Sequence, residues 1–589
     1  MGRLAGGVGS IVALAHLVFT LVACRRAEQA PAGSPPPASA RGSLLAEPAG
    51  PPAPDVAATI ATVLDGARHP SLTWSDIPDV APALRAIYED EPDGLFWFAG
   101  DPPYPSLGPA LEALRQAHAQ GLVPGDYDAE ALAEAWRAHQ SGTPLKGPDK
   151  ALFDLAVSVG TLRLLSSVQH GRVDPATLRW GYDLRPKRLD PEASLREART
   201  RGVPAMIDAL EPPFSHYDRA RKALADYRGR TAAGEPAPVP DLPRGVTKIE
   251  PGTSWSGAQK LAARLRAFGD LDECPAGTAC ATDGSTLYAG PLAEAVKGFQ
   301  RRHGLEADGV IGRQTIHTLN VTLAHRVRQL ELAMERMRWL PEMRDRPTVF
   351  VNVPFFRLWA TDPESGEEPL RMNVVVGKSL AHETPIFIGT MEYVVFRPYW
   401  NPPHSITVKE IVPHARRDPS YFARESLEIV ASGDESAPAL PATPENLDEV
   451  VAGRLHVRQK PGPMNSLGLA KFIFPNAENV YMHGTPARQL FSRARRDFSH
   501  GCIRLEDPAR LAAWVLRDQP EWTRERIVQA MEGERPVRAN LREPLTVVLF
   551  YDTVHVNSEG VVFFVDDIYG DDRQLDGALR QGYPYPTES

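Results

Sequence analysis

Proline is the residue that most constrains this chain, because its distribution is uneven. Of 56 prolines in 589 residues, many fall in two stretches, 30–54 and 234–243. The second reads Gly234-Glu-Pro-Ala-Pro-Val-Pro-Asp-Leu-Pro243. Proline fixes φ and has no N–H to donate, so neither stretch can continue a helix or sit inside a sheet. They are expected to be a tether and a linker that bury no core. The chain must therefore fold as several bodies, and 589 residues also exceed what one hydrophobic core supports. An apolar fraction of 43% and a charged fraction of 24% suit ordinary globular domains. A net charge of -9 gives no basic footprint and argues against nucleic acid as a main partner.

The front end reads as a processing signal. Arg3 supplies the positive start, and residues 8–23 form an apolar export segment that is short for a membrane span. Arg25 and Arg26 follow it and leave an uncleaved anchor open. The run Leu21-Val22-Ala23-Cys24 resembles a bacterial lipobox. That resemblance implies cleavage after a 1–23 signal, lipid on Cys24, and a tether at 24–55. Three other cysteines remain: Cys274, Cys280 and Cys502. Cys274 and Cys280 flank Pro-Ala-Gly-Thr-Ala, and an exported compartment favours a disulfide between them. One C-x5-C pair with no second pair is a poor zinc signature, and no metal or organic cofactor is implied. Cys502 is left unpaired.

From 56 to 230 the apolar spacing is helical. Leu107, Leu111, Leu114 and His118 lead to a break at Gly121, and Leu152, Leu155, Ala156, Val159, Leu162 and Leu165 to a stop near Gly171. Trp97, Trp136 and Trp180 read as core aromatics of a helical scaffold domain. After a linker at 231–253, residues 254–320 carry two helical stripes, Leu261/Leu265/Phe268 and Leu292/Val296/Phe299. Phe299-Gln300, then Asp308-Gly309-Val-Ile-Gly312 and Thr315 complete the pattern. Gly309 and Gly312 are expected to permit a tight turn ahead of the last helix. The unit resembles the small three-helix peptidoglycan-binding domain, which implies docking to cell wall. A connecting segment at 321–345 should be helical over 325–339. Runs at 348–353, 370–376, 391–396 and 545–551 are rich in β-branched and aromatic residues, and predict a mainly β domain over 346–570. A polar, proline-bearing insertion at 402–464 is expected to cap its site, and 571–589 to be a tail.

The chemistry concentrates in Tyr481-Met-His-Gly-Thr485 and Ser499-His-Gly-Cys-Ile-Arg504. A thiol needs an imidazole nearby to act as a nucleophile, and His500 and His483 lie two and nineteen residues before Cys502. A glycine directly ahead of a nucleophile lets backbone N–H groups crowd a developing oxyanion. Arg493, Arg495, Arg496 and Arg504 would suit a substrate bearing carboxylates, although a basic run is also how a solvated loop looks. His382, His404 and His414 read as surface histidines, and Tyr399 and Trp400 as packing residues.

The ordered set His483-Gly-Thr…Ser499-His-Gly-Cys502-x-Arg504 resembles the YkuD-type L,D-transpeptidase signature. Asn352-Val-Pro354, Val376-Gly-Lys378, Thr384-Pro385, Pro398-Tyr-Trp-Asn-Pro-Pro403 and Lys471-Phe-Ile-Phe-Pro-Asn476 extend the likeness to the long, YcbB-like branch. The resemblance implies a multidomain α+β protein in which Cys502 is the nucleophile and His483 the proton acceptor and donor. It implies backbone N–H groups of His500, Gly501 and Cys502 in an oxyanion hole, and Ser499, Arg504, Gly484 and Thr485 shaping the substrate site. Peptidoglycan stem peptides would be donor and acceptor, with D-Ala released and a 3→3 cross-link formed. The location would be the cell envelope, facing the periplasm, with a lipid anchor in a membrane, the outer one favoured. A regulatory envelope protein is a further candidate partner. The same acyl-enzyme could instead serve hydrolysis or protein-to-wall attachment, and a wall-anchoring lipoprotein without activity is the alternative of another class.

Overall fold

The computed structural model describes residues 56–585, apart from 92–93, 99–101, 185–186, 273–285, 344–345, 366–367 and 381. The signal at 1–23, Cys24, the tether at 24–55 and the Cys274/Cys280 pair lie outside the described residues. Two compact units result, one holding 304–306 and 343–552, the other holding the helical regions up to 303, 307–342 and the C-terminal stretch from Thr553.

In the helical unit the central element is Gly147–His170, whose side chains from Ala151 to Leu165 are almost all buried. It is long and apolar enough to cross a membrane, but an all-round apolar helix enclosed by its neighbours is equally a core helix. Asp154 sits in its middle and accepts from the N–H groups of Phe96, Trp97 and Phe98 at 2.8–3.0 Å and from the Tyr88 hydroxyl at 2.6 Å. Trp97 is fully buried and donates its indole N–H to Ser158 at 3.0 Å, as a core aromatic with a polar tip must. The helix stops at Gly171, where φ is +81° and a Cβ would fall 2.8 Å from the Trp339 indole nitrogen. The connecting helix, Leu323–Trp339, opens on Thr322, whose hydroxyl caps the His325 N–H. Near its end Glu335 lies between Arg172 (3.2 Å) and Arg338 (3.0 Å), with all three side chains buried.

The wall-binding-type segment forms helices Ala258–Phe268, Pro291–Arg302 and Arg313–Leu319. Its sequence pattern has a physical reason. Gln300 is buried, accepts from the Gly309 N–H at 2.8 Å and donates to the Val310 carbonyl at 2.9 Å, so it holds the turn from below. Gly309 has φ +77°, a left-handed conformation that favours glycine. Gly312 departs from expectation: at φ -95° it is extended backbone before the last helix and does not supply the turn.

A second departure concerns the C-terminus. Residues 553–570, expected in the β domain, belong to the helical unit, and the expected tail continues there as helix Asp571–Leu579. Strands Val554–Val556 and Val562–Phe564 pair there, and Phe564 packs edge-on against Tyr227, with the Arg326 guanidinium 4.7 Å from its ring. Asp572 is shared by Arg336 and Thr553, so the segment is held by buried charge as well as by apolar contact.

The other unit is built on strands β1 (Thr348–Asn352), β2 (Arg357–Thr361), β3 (Leu370–Gly377), β4 (Phe387–Phe396), β5 (Leu427–Val430), β6 (His456–Gln459), β7 (Ala470–Ile473), β8 (Met482–His483), β9 (Asp497–Ser499), β10 (Ile503–Leu505) and β11 (Val537–Phe550). Eight of these close on themselves in the order β1-β2-β3-β10-β8-β7-β4-β11, because β3 also pairs with β2 and β11 returns to β1. The β8–β10 and β11–β1 pairs are parallel and the other six antiparallel. Closure leaves no free edge along the ring. The insertion at 402–464 is a small folded body, not a merely polar cover. It pairs β5 with β6 and has its own core of Ile411, Phe422, Ile429, Leu447, Val450 and Val457, against which Trp400 packs.

Candidate active site

Strand alternation decides which side chains meet, since successive residues point to opposite faces. On β7, β8 and β10 the residues Ala470, Phe472, Met482, Ile503 and Leu505 are buried on one face. The opposite face carries Lys471, His483 and Arg504. Register places them side by side: Lys471 is opposite His483, and His483 opposite Arg504. Cys502 and Tyr481 lie two residues before Arg504 and His483, so they share that face, and the Ile503 N–H donating to the Tyr481 carbonyl at 3.1 Å fixes their level. Strand spacing puts the Cα atoms of Cys502 and His483 roughly 8 Å apart. The Cys502 thiol lies 4.0 Å from the Asn479 carbonyl and is also hydrogen-bonded by Tyr481, and among the described residues no direct bond to His483 is among its contacts.

The imidazole is held from behind. His483 Nδ1 donates to the Gly484 carbonyl at 2.5 Å, which leaves the lone pair on Nε2. Burial, with Arg504 and Lys471 as cationic neighbours, pushes its pKa down to about 3, so the ring is neutral. Gly484 itself is crowded, with its N–H bonded to Ala470 at 2.9 Å. A Cβ on Gly468 would lie 2.5 Å from the Thr485 nitrogen, so this crossing admits no side chain there. The Thr485 hydroxyl accepts from the backbone N–H of Ala487 at 3.2 Å and turns the loop.

The loop carrying Cys502 is stapled by two hydroxyls. Ser499 Oγ donates to the Cys502 carbonyl at 2.5 Å and accepts from the Gly501 N–H at 3.2 Å. Gly501 has φ +107°, which its neighbours in this tight loop require and which a side chain would strain. Its N–H, expected to face a developing oxyanion, is turned to Ser499 instead. Thr384, buried, accepts from the Gly377 N–H at 2.9 Å and donates to the Gly501 carbonyl at 2.7 Å. Gly377 has no room for more than hydrogen, since a Cβ there would fall 2.0 Å from the His382 carbonyl. Burial raises the Cys502 thiol, while Tyr481, Lys471 and Arg504 pull it down.

His500 is engaged by the insertion, with Nε2 2.9 Å from Glu410 on the π-helical turn Thr407–Ile411. His382, expected to be a plain surface residue, packs its ring at a 50° tilt with its centroid 4.6 Å from that of His500. The basic run does not serve as a whole. Arg496 is buried and donates to the backbone carbonyls of Val374 and Phe356, and Arg495 pairs with Asp497 at 2.7 Å. Arg504 alone of the four shares the face of Cys502 and His483. Lys471, Tyr481 and Thr384 stand inside motifs quoted from the sequence but carried no role there, and Glu410 was passed over altogether.

Three families match. The L,D-transpeptidase catalytic domain matches residues 346–537, a scaffold domain 82–224, and the family described as "Putative peptidoglycan binding domain" 257–319. A protein of Haemophilus influenzae named "Putative L,D-transpeptidase" is 29% identical over 276 residues, 46% of this chain and 54% of the relative. The chain thus spans about half the length of that curated relative. A crystal structure of an L,D-transpeptidase from Xylanimonas cellulosilytica matches at 16% identity with a TM-score of 0.16, over 53% of this chain and 100% of that one, a likeness too low to bear on the argument.

Proposed function

With a YkuD-type L,D-transpeptidase catalytic domain joined to scaffold and peptidoglycan-binding domains as the premise, we propose that this chain cross-links peptidoglycan stems through Cys502. The observation that carries the reading is the shared face of Cys502 and a neutral His483 whose Nδ1 is anchored on Gly484. His483 Nε2 takes the thiol proton as sulfur attacks the carbonyl carbon of the third stem residue. The tetrahedral intermediate collapses with cleavage of the C–N bond, and the same proton goes to the departing D-Ala amine. A thioester remains. An amine of a second stem then attacks it and gives its proton to His483; the C–S bond breaks, the expelled sulfur takes that proton back, and a 3→3 cross-link is left.

Backbone N–H groups of Cys502 and His500 are the oxyanion donors in this reading, because that of Gly501 is spent on Ser499. Gly501 supplies the loop conformation. Ser499 holds the loop closed, Arg504 faces a substrate carboxylate, and Gly484 and Thr485 fix the base. The domain at 257–319 would dock on the wall, and lipid on Cys24 would keep the enzyme at a membrane of the cell envelope. The test incubates the chain from residue 28 onward, and its Cys502→Ala partner, with purified tetrapeptide muropeptides before mass spectrometry. Cysteine-dependent loss of D-Ala together with a dimer is expected. Loss without a dimer would move the assignment to hydrolysis or protein attachment, and no change in a folded chain would leave a wall tether.

A further inference from the structure

Lys471 is a half-buried ammonium with an unusual set of neighbours. Across the barrel wall, one register-matched row reads Arg538 on β11, Val395 on β4, Lys471 on β7, His483 on β8 and Arg504 on β10. The row contains three cations, one imidazole and no carboxylate. Arg538 is engaged elsewhere, lying 3.5 Å over the Tyr393 ring and bonded to Asn540. Lys471 Nζ lies 4.0 Å from the centroid of the Tyr481 ring, directly beside the nucleophile. Taking an ammonium partly out of water without an anion is costly, and an apolar residue would fill the position at no such cost. Among the described residues, the titratable group of opposite sign that acts on Lys471, and likewise on Arg504, is the sulfur of Cys502.

We propose that Lys471 is a positioning residue for the acyl transfer: seated on the Tyr481 ring, its ammonium stabilises the negative charge that develops on the Cys502 sulfur as neutral His483 takes the thiol proton. The proposal rests on the reading of Cys502 as nucleophile. In the free chain, with no substrate to attack, the same charge forms only when the S–H proton titrates to water, and no other bond changes. Other charged and titratable groups facing the sulfur and its loop are Tyr481, His483 and Arg504 on the same face, Tyr393 and Arg538 farther along it, and His382, His500, Lys378, Lys409 and Glu410 at the loop. Among them Lys471 and Arg504 are the cations that act on the thiol. An imidazolium cannot share this task, because the two cations and burial keep His483 unprotonated. Burial still leaves the thiol above its ordinary value, so loss of Lys471 should move it higher.

The experiment measures alkylation of Cys502 by iodoacetamide against pH in the full chain, followed by mass mapping of the peptide that contains Cys502. An opposite charge at short range shifts a titration by about one unit or more, so Lys471→Met should slow alkylation near neutral pH about tenfold and raise the midpoint by roughly one pH unit. Lys471→Arg should stay within about threefold of the parent. Lys471→Gln provides a second neutral variant should Met disturb packing, with unfolding temperature checking both. An unchanged midpoint in a folded neutral variant overturns the proposal, as does an Arg variant as slow as the Met one. The assay contains no stem peptide, so failure of cross-linking with a normal charge dependence of alkylation counts against the proposed function alone. Unchanged alkylation with a raised KM for donor peptide would reassign Lys471 to a substrate carboxylate and also overturn it.

Discussion

Replacing Thr384 with valine tests how the nucleophile loop is held. The hydroxyl bridges two backbone groups, accepting from Gly377 N–H at 2.9 Å and donating to the Gly501 carbonyl at 2.7 Å, and the residue is 1% exposed. Valine keeps the shape and removes both bonds. Each net hydrogen bond is worth about 1 kcal/mol, and a buried group left short of a partner costs about 1–3 kcal/mol, so the total should be about 2–4 kcal/mol. For a unit of this size that corresponds to a fall of roughly 4–16 °C in Tm. The activity effect should be larger. The Gly501 carbonyl belongs to the same peptide plane as the Cys502 N–H, a proposed oxyanion donor. If that plane rotates, one donor is lost, which is worth about 100-fold or more in rate. Thr384→Ser keeps the hydroxyl and should retain most activity. The assays are urea unfolding and the single-turnover release of D-Ala from a tetrapeptide donor. A valine variant that unfolds within about 0.5 kcal/mol of the parent and releases D-Ala at the parental rate would refute the bridge as the device that sets the loop.

Other expectations come from buried charge. Glu335→Gln leaves Arg172 and Arg338 buried without their shared carboxylate, so the helical unit should lose about 3–5 kcal/mol, read by denaturant unfolding of a probe in that unit. In that unit His69 and His216 are pushed down by burial to about 4 and about 3, and His303 well below its ordinary value. Unfolded, these rings take up protons near pH 6.5; folded, they stay neutral. Their contribution is therefore complete above pH 6.5 and is lost as pH falls toward 4, with His69 alone accounting for about 3 kcal/mol. Asp154 and Asp572, both raised to about 6 by burial, act in the opposite sense and offset part of this loss. Unfolding temperatures measured from pH 7 down to about 4 should fall steadily; a constant Tm would contradict the buried neutral rings. Because His483 stays neutral down to about pH 3, single-turnover D-Ala release should show no break near pH 6.5, and a clear break there would mean that His483 titrates like an exposed imidazole.

Much of this protein is legible locally. Helical stripes ended at Gly121 and Gly171, and the structure ends those helical stretches there for the reason glycine suggests, a positive φ. The Phe-Gln and Asp-Gly pattern marked a turn that Gln300 holds with two backbone bonds. The ordered motif around His483 and Cys502 singled out the two residues to which a nucleophile and its base are assigned in the proposed function. Such signals are local because side-chain spacing and backbone preference report which face of its own element a residue occupies. They do not report which other element that face will meet. Tertiary pairing decided that Lys471, Tyr481, His483, Cys502 and Arg504 stand together, since that depends on register among β7, β8 and β10. It also turned the Gly501 N–H to Ser499, buried Arg496 against backbone carbonyls, and brought Glu410 from the insertion to His500. The segment after Thr553 joined the helical unit because Asp572 and Phe564 find their buried partners there, a choice that the strand propensity of 554–564 cannot encode. Even the protonation state of His483 belongs to the tertiary level: the same imidazole in water would titrate near neutrality, and only burial beside two cations makes it a neutral base.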